Sequence, residues 1–282
     1  MLRMPLFSSA PTVTVLRLAG VIGQIGPLRR GLTLRALAGQ IERAFQPKHL
    51  RAVALAVNSP GGSPVQSALI FRRIRALARK KDVPVIAFIE DVAASGGYWL
   101  ACAGDEIYAD ENSIVGSIGV LSASFGFVEA MKKLGIERRV HTAGEHKAAL
   151  DPFRPEDPHD VARLEAIQAE VHDSFKTLVR SRRGRKLRQP EDQLFNGDFW
   201  TGRKAQELGL VDGIADMRGV LQDRFGEKVR IVPMGERQGW LRRRLGIRAG
   251  DEEFAPPALG AGFAAGMLAA IEERFLWSRF GL

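Results

Sequence analysis

Asn58-Ser59-Pro60-Gly61-Gly62-Ser63 closes the apolar run of residues 52–57, and Ala93-Ala94-Ser95-Gly96-Gly97-Tyr98 follows a second apolar run at residues 83–89. Short runs rich in Val, Ile and Ala read as buried strands, and the glycines beyond them read as turns into a helix. Two such loops at the ends of consecutive strands set their backbone N–H groups side by side at one edge of a parallel sheet. That geometry suits a carbonyl oxygen on which negative charge develops. Each loop alone also has a plainer reading: the first as an ordinary glycine-rich turn, the second as a helix start with Ser95 as its N-cap.

The same alternation extends outward. Residues 12–18, 106–109 and 136–141 read as further strands, and Leu34, Leu37, Ile41 and Phe45 share one helical face, as do Leu69, Ile74 and Leu77. Residues 95–103 read as a short buried helix. Strands alternating with helical stretches define an α/β chain, and no internal repeat is found. Beyond Pro152 the pattern turns helical, with Val161, Leu164, Ile167, Val171, Phe175 and Leu178 at helical spacing over about residues 158–180. This helix runs into a basic stretch from Lys176 to Arg188 that contains no acid, and a second basic cluster spans residues 237–248. The expected division is a globular domain over residues 1–232 and a basic linker with a helical appendage over residues 233–282.

With 282 residues, 45% hydrophobic and 26% charged, the chain is neither a disulfide miniprotein nor disordered. Its single cysteine, Cys102, can neither close an intramolecular disulfide nor supply a structural zinc cluster, and it points to a reducing compartment. No metal and no cofactor are expected. The net charge of +9 makes an anionic surface a plausible partner but says nothing of fold. Residues 1–20 match neither a signal peptide nor a membrane span, and the uncharged window at residues 254–271 is broken by Pro256, Pro257 and Gly260.

A serine at the mouth of a helix, followed by glycines, has the exposed hydroxyl and neighbouring N–H that an acyl-transfer nucleophile requires. It also needs a base. His159 and His172 fall on the long helix and His49 in a turn, which leaves His146, next to Lys147, as the one histidine worth testing.

Taken together, residues 58–62, residues 94–98, Val115-Gly116-Ser117-Ile118-Gly119-Val120 and residues 144–153 resemble the signal peptide peptidase A family of Ser-Lys peptidases, peptidase family S49. The resemblance runs from about residue 13 to residue 211 and includes Phe195-Asn196-Gly197 and the segment at residues 205–212. The separation of Ser95 and Lys147 is close to the one the family keeps. The resemblance implies a ClpP/crotonase-like α/β fold built of repeated β-β-α units. It implies Ser95 as nucleophile, Lys147 as general base, Ser117 as the residue that orients the amine, and the N–H groups of Gly62 and Gly96 as oxyanion hole. Gly61, Ile118, Gly119 and Val120 are implied to line the bound peptide. A lysine accepts the serine proton only when neutral, so a base of this kind needs apolar neighbours that disfavour its charge; Ala148, Ala149 and Leu150 are of that type, and Glu145 is expected to face away. The implied partners are peptide substrates and further copies of the chain, with active sites completed between subunits. Family members usually carry an N-terminal membrane anchor. Residues 1–20 depart from that pattern, and a cytoplasmic location, peripheral at the inner membrane, is expected.

Two other classes fit parts of the sequence. A crotonase-like acyl-CoA enzyme shares the fold and the oxyanion loops but generally works through acidic residues, and the nearest, Glu90 and Asp91, precede Ser95. A basic scaffold for nucleic acid or acidic lipid would use the stretch from Lys176 to Arg188, but such runs are usually solvated helix ends and no nucleic-acid module accompanies this one. No nucleic-acid partner is expected. In the appendage, Phe263, Met267, Leu268, Ile271, Phe275 and Leu276 line one face of a helix over about residues 262–279, with Trp277 and Phe280 at its end. Such a stripe docks on an anionic membrane surface or, more commonly, packs against the domain or a neighbouring subunit.

Overall fold

A computed structural model describes residues 10–24, 31–235 and 273–282. In chain order the elements are β1 (Thr12–Ala19), α1 (Leu34–Ala44), β2 (Leu50–Ser59), α2 (Pro64–Lys81), β3 (Val85–Ala94), α3 (Gly96–Ala101), β4 (Glu106–Ala109) and β5 (Ile114–Gly116). These are followed by α4 (Val128–Leu134), α5 (Pro158–Arg183), α6 (Glu191–Leu194), β6 (Phe199–Thr201), α7 (Gly202–Leu208), β7 (Gly213–Ile214), α8 (Met217–Phe225) and β8 (Arg230–Pro233).

The apolar runs become strands because both of their faces are covered. Residues 52–57 are buried without a break in β2, the mark of a central parallel strand whose two faces both meet helices or loops. The sheet order is β6-β5-β3-β2-β1-β8, with β4 and β7 branching from β3, and every pairing is parallel except β5 with β6. One face packs Leu16, Leu18, Val53, Leu55 and Val57 against α1, α2 and α3, and the other packs Val13, Ala54, Ile86 and Phe88 against Leu221 of α8. This is the ClpP/crotonase-like α/β arrangement. β8 pairs with β1 and extends the sheet to Pro233.

Helix starts follow their caps. Thr33, Ser63, Thr201 and Asp216 each accept a backbone N–H from the first turn of α1, α2, α7 and α8. The buried face of α2 is Ser67, Ile70, Ile74 and Ala78, turned by one position from the expected Leu69 and Leu77, which are partly exposed.

The expected strand at residues 136–141 does not form. Glu137, Arg138 and Arg139 separate Ile136 from Val140, and the segment finds no ladder partner; Arg138 instead pairs with Asp151 and lies over the Phe153 ring, 4.9 Å from its centroid. Residues 121–157 form an exposed arm carrying α4, and Phe127 stacks on Phe153 at 5.4 Å. Leu121, Phe125, Leu134 and Ile136 of this arm are exposed, as is Ile167 of α5. Along α5 only Phe175, Val179 and Arg183 are buried, so the stripe expected from Val161 onward is covered only at its C-terminal end.

Five residues of the basic stretch are paired inside the chain. Lys176 pairs with Asp173, Arg180 with Glu191, Arg182 with Asp105, and both Arg183 and Lys186 with Asp212. In the appendage, residues 273–278 are helical, Leu276 and Trp277 pack on Val21, and Phe280 meets Phe199. The expected stripe over residues 262–272 and the basic cluster at residues 237–248 lie outside the described residues, as does the uncharged window at residues 254–271. Among the described residues no helix is long and apolar enough to cross a membrane.

Candidate active site

A register break aligns the two glycine loops. Val57 of β2 lies opposite Ile89 of β3, but Ser59 lies opposite Ala93, so two steps along β2 correspond to four along β3. The extra residues form a bulge that Asn58 fills. Its Oδ1 accepts the Val92 N–H at 3.2 Å, and its Nδ2 donates to Asp91 at 2.6 Å. On the other side Ser113 Oγ donates to the Glu90 carbonyl at 2.5 Å, where the neighbour of β3 changes from β4 to β5. Bulges re-aim the residues beyond them, and this one brings Ser95 level with Gly61 and Gly62. Glu90 and Asp91 are held by Arg17 and Asn58.

Ser95 sits at φ 52° and ψ −120°, a combination that strains any residue with a Cβ. Its N–H donates to the Gly116 carbonyl at 2.8 Å, its carbonyl accepts from Trp99 at 3.1 Å to open α3, and its side chain caps nothing. The plain N-cap reading therefore fails. Gly61, at φ 110°, lies directly beneath: a Cβ there would stand 2.9 Å from the Ser95 Cβ and 3.0 Å from the Ala94 oxygen. Gly61 thus packs under the serine.

Ile22 pairs alongside Gly62, its N–H donating to the Gly61 carbonyl at 2.8 Å and its carbonyl accepting from Ser63 at 2.7 Å. This pattern leaves the N–H of Gly62 pointing away from Ile22. A Cβ on Gly96 would lie 3.4 Å from the Gly62 nitrogen, so the two loops are in contact. Neither the Gly62 N–H nor the Gly96 N–H has an acceptor among the described residues. Two adjacent free donors beside a half-buried serine can hold an oxyanion.

The third loop lies next to them. Ser117, also at positive φ and buried, donates its N–H to the Asp198 carbonyl at 2.6 Å, and its hydroxyl has no partner among the described residues. The Ile118 side chain is fully buried, and its carbonyl is 3.1 Å from His172 Nε2. Gly119 and Val120 are partly exposed. Sequence reasoning missed the contact of His172, although His172 shares the helical face of Phe175, Val179 and Arg183.

Lys147 is exposed on the arm. It lines a cavity with Ala149, Leu150, Asp160, Leu164 and Ile167, and no residue of the three loops lines that cavity. Glu145 and His146 line it too. Among the described residues no ion pair joins Glu145 to Lys147, and no hydrogen bond joins Lys147 to Ser95 or Ser117.

Beneath the site, α3 is tied to the chain's closing segment. Tyr98 Oη donates to the Leu210 carbonyl at 2.7 Å, and Arg183, 2% exposed, donates to the Gly209 carbonyl and to Asp212, the latter at 2.6 Å. Burial opposes ionisation of Asp212, but hydrogen bonds from Arg183 and Lys186 outweigh it and hold its carboxyl below the usual carboxylate range. Burial pushes the Cys102 thiol, at the C-cap of α3, up to about 12.

Sheet, glycine loops and strained serine together define the chain's α/β class. The model of peptidase family S49 matches residues 77–226, more than half of the chain, and the chain belongs to that family. It is 30% identical over 210 residues to the chloroplastic serine protease SPPA of Arabidopsis thaliana, covering 73% of this chain and 31% of the relative. It is 35% identical over 182 residues to protease 4 of Haemophilus influenzae, covering 63% of this chain and 28% of the relative. A protein of Brucella abortus named Na(+)/H(+) antiporter NhaA is 51% identical over 272 residues, which cover 96% of this chain and 37% of that relative. The chain thus spans little more than a third of the length of that relative.

Proposed function

We propose that the chain is a serine endopeptidase that hydrolyses extended, largely apolar peptides, such as signal-peptide remnants or membrane-derived peptides, through an acyl-enzyme, with Ser95 as nucleophile and Lys147 as general base. The observation that carries this reading is the uncapped, strained Ser95 beside the free N–H groups of Gly62 and Gly96. Ser95 Oγ attacks the scissile carbonyl and its proton passes to the neutral lysine amine. The carbonyl oxygen becomes an oxyanion held by Gly62 and Gly96. When the tetrahedral species collapses, the C–N bond breaks and the leaving amine takes the proton from the lysine. Water then enters, gives a proton to the lysine and releases the acid, restoring Ser95. Ser117, with its hydroxyl unpartnered, orients the amine, and the backbone of Gly119 and Val120 runs beside the peptide.

The cavity that Lys147 lines includes no residue of the three loops, which supports a base supplied by a neighbouring copy. The exposed Leu121, Phe125, Leu134 and Ile136 on the arm that carries Lys147 support such an assembly, since apolar side chains of this size favour burial. Cytoplasmic placement, peripheral at the inner membrane, is part of the proposal. A serine-directed fluorophosphonate followed by peptide mass mapping tests the core of the reading. Modification of Ser95 is expected, and modification of another serine, or of none, defeats it.

A further inference from the structure

The chain touches its own site edge from outside at two points. Leu276 and Trp277 pack on Val21, and Phe280 meets Phe199 edge-on, ring centroids 5.2 Å apart at 77°. Val21 follows the end of β1 and adjoins Ile22, the residue paired with Gly62. Phe199 begins β6 opposite Gly116, whose carbonyl holds the Ser95 N–H. In the strand order β1-β2-β3-β5-β6, every strand end that carries a site residue lies between these two anchors: Gly62 after β2, Ser95 after β3 and Ser117 after β5.

An aliphatic, an indole and a phenyl side chain within five residues are the chemistry of an apolar peptide, and here they sit on Val21 and Phe199, at the two ends of that series of strands. We infer that Val21 and Phe199 are specificity-determining walls of the peptide groove and that residues 276–280 occupy those walls in competition with substrate. The inference rests on the peptidase reading. A tethered competitor lowers the fraction of chains able to bind and weakens apparent affinity by that fraction, without touching the groups that do chemistry.

The test measures binding, so it does not depend on turnover. A fluorescein-labelled apolar peptide is titrated into the full chain carrying Ser95→Ala, with and without Trp277→Ala and Phe280→Ala. The tail variant is expected to bind roughly tenfold more tightly, and adding Phe199→Leu is expected to take back most of that gain for peptides with an aromatic side chain. Equal affinity with and without the tail substitutions overturns the inference, and so does absence of binding to either chain. Fluorophosphonate labelling of the native chain at Ser95, read in parallel, judges the peptidase reading separately.

Discussion

At the scale of single residues the site is held by backbone strain and close packing. Ser95 keeps a positive φ that costs an L-residue energy, so Ser95→Gly is expected to abolish peptide hydrolysis while stabilising the fold by about 1 kcal/mol. Ser95→Ala is expected to abolish hydrolysis with the melting temperature nearly unchanged. Thermal melts beside a peptidase assay check the pair, and a lower melting temperature for the glycine variant would remove the strain argument. Gly61→Ala places a Cβ against Ser95 at an unfavourable φ. A displaced nucleophile of this kind loses on the order of 100-fold in kcat. That the two glycine loops meet at one sheet edge was legible in the sequence because a strand followed by glycines is a local signal. The wedge of Asn58 in the bulge was not, since it depends on how β2 and β3 are registered against each other. His172 went unread for a related reason: its contact with Ile118 joins residues far apart in the chain.

Among the elements, α3, α5 and the segment before β7 form one brace under Ser95. Asp212 is depressed in the folded state, so its contribution to stability is present above its unfolded value, about 3.9, and is lost as pH falls through the folded value. Acid unfolding of the native chain is therefore expected to steepen below about pH 4, and Asp212→Asn to flatten that dependence. The same substitution leaves Arg183 buried without its counter-charge and is expected to cost about 3 kcal/mol, read by urea unfolding at neutral pH. The strands at the centre of the sheet were legible because unbroken apolar runs have few other fates. Residues 136–141 show the converse, as β-forming residues without a neighbouring strand stay irregular. The basic stretch from Lys176 misleads when read alone, because its acidic partners Asp105, Glu191 and Asp212 come from elsewhere in the chain.

For the molecule as a whole, a base supplied by a neighbouring copy, as proposed, would make assembly part of the chemistry. Mixing Ser95→Ala chains with Lys147→Ala chains is expected to restore a fraction of the activity that neither shows alone, because some sites then receive both intact residues. A fully active monomer in light scattering would rule this out. Activity is expected to be highest on the alkaline side of neutral, as for a general base that works only when uncharged. His146→Ala and His172→Gln are expected to leave that profile in place, and its loss in either variant would transfer the role of base to that histidine. The role of Lys147 was assigned by family likeness alone, because among the described residues Leu121, Leu134 and Ile136 of its arm stay exposed and reveal no packing that would place it.

Cys102 lies at the far end of the helix that begins beside Ser95, walled off from water and with its proton firmly held. A thiol in that state is inert to alkylating reagents. It reacts only when the interior of the sheet and helices opens, so the rate at which iodoacetamide consumes the chain's one sulfhydryl is a stopwatch for that opening. Run with and without an inhibitor bound at Ser95, the same stopwatch reads how firmly an occupied groove locks the nucleophile's helix in place.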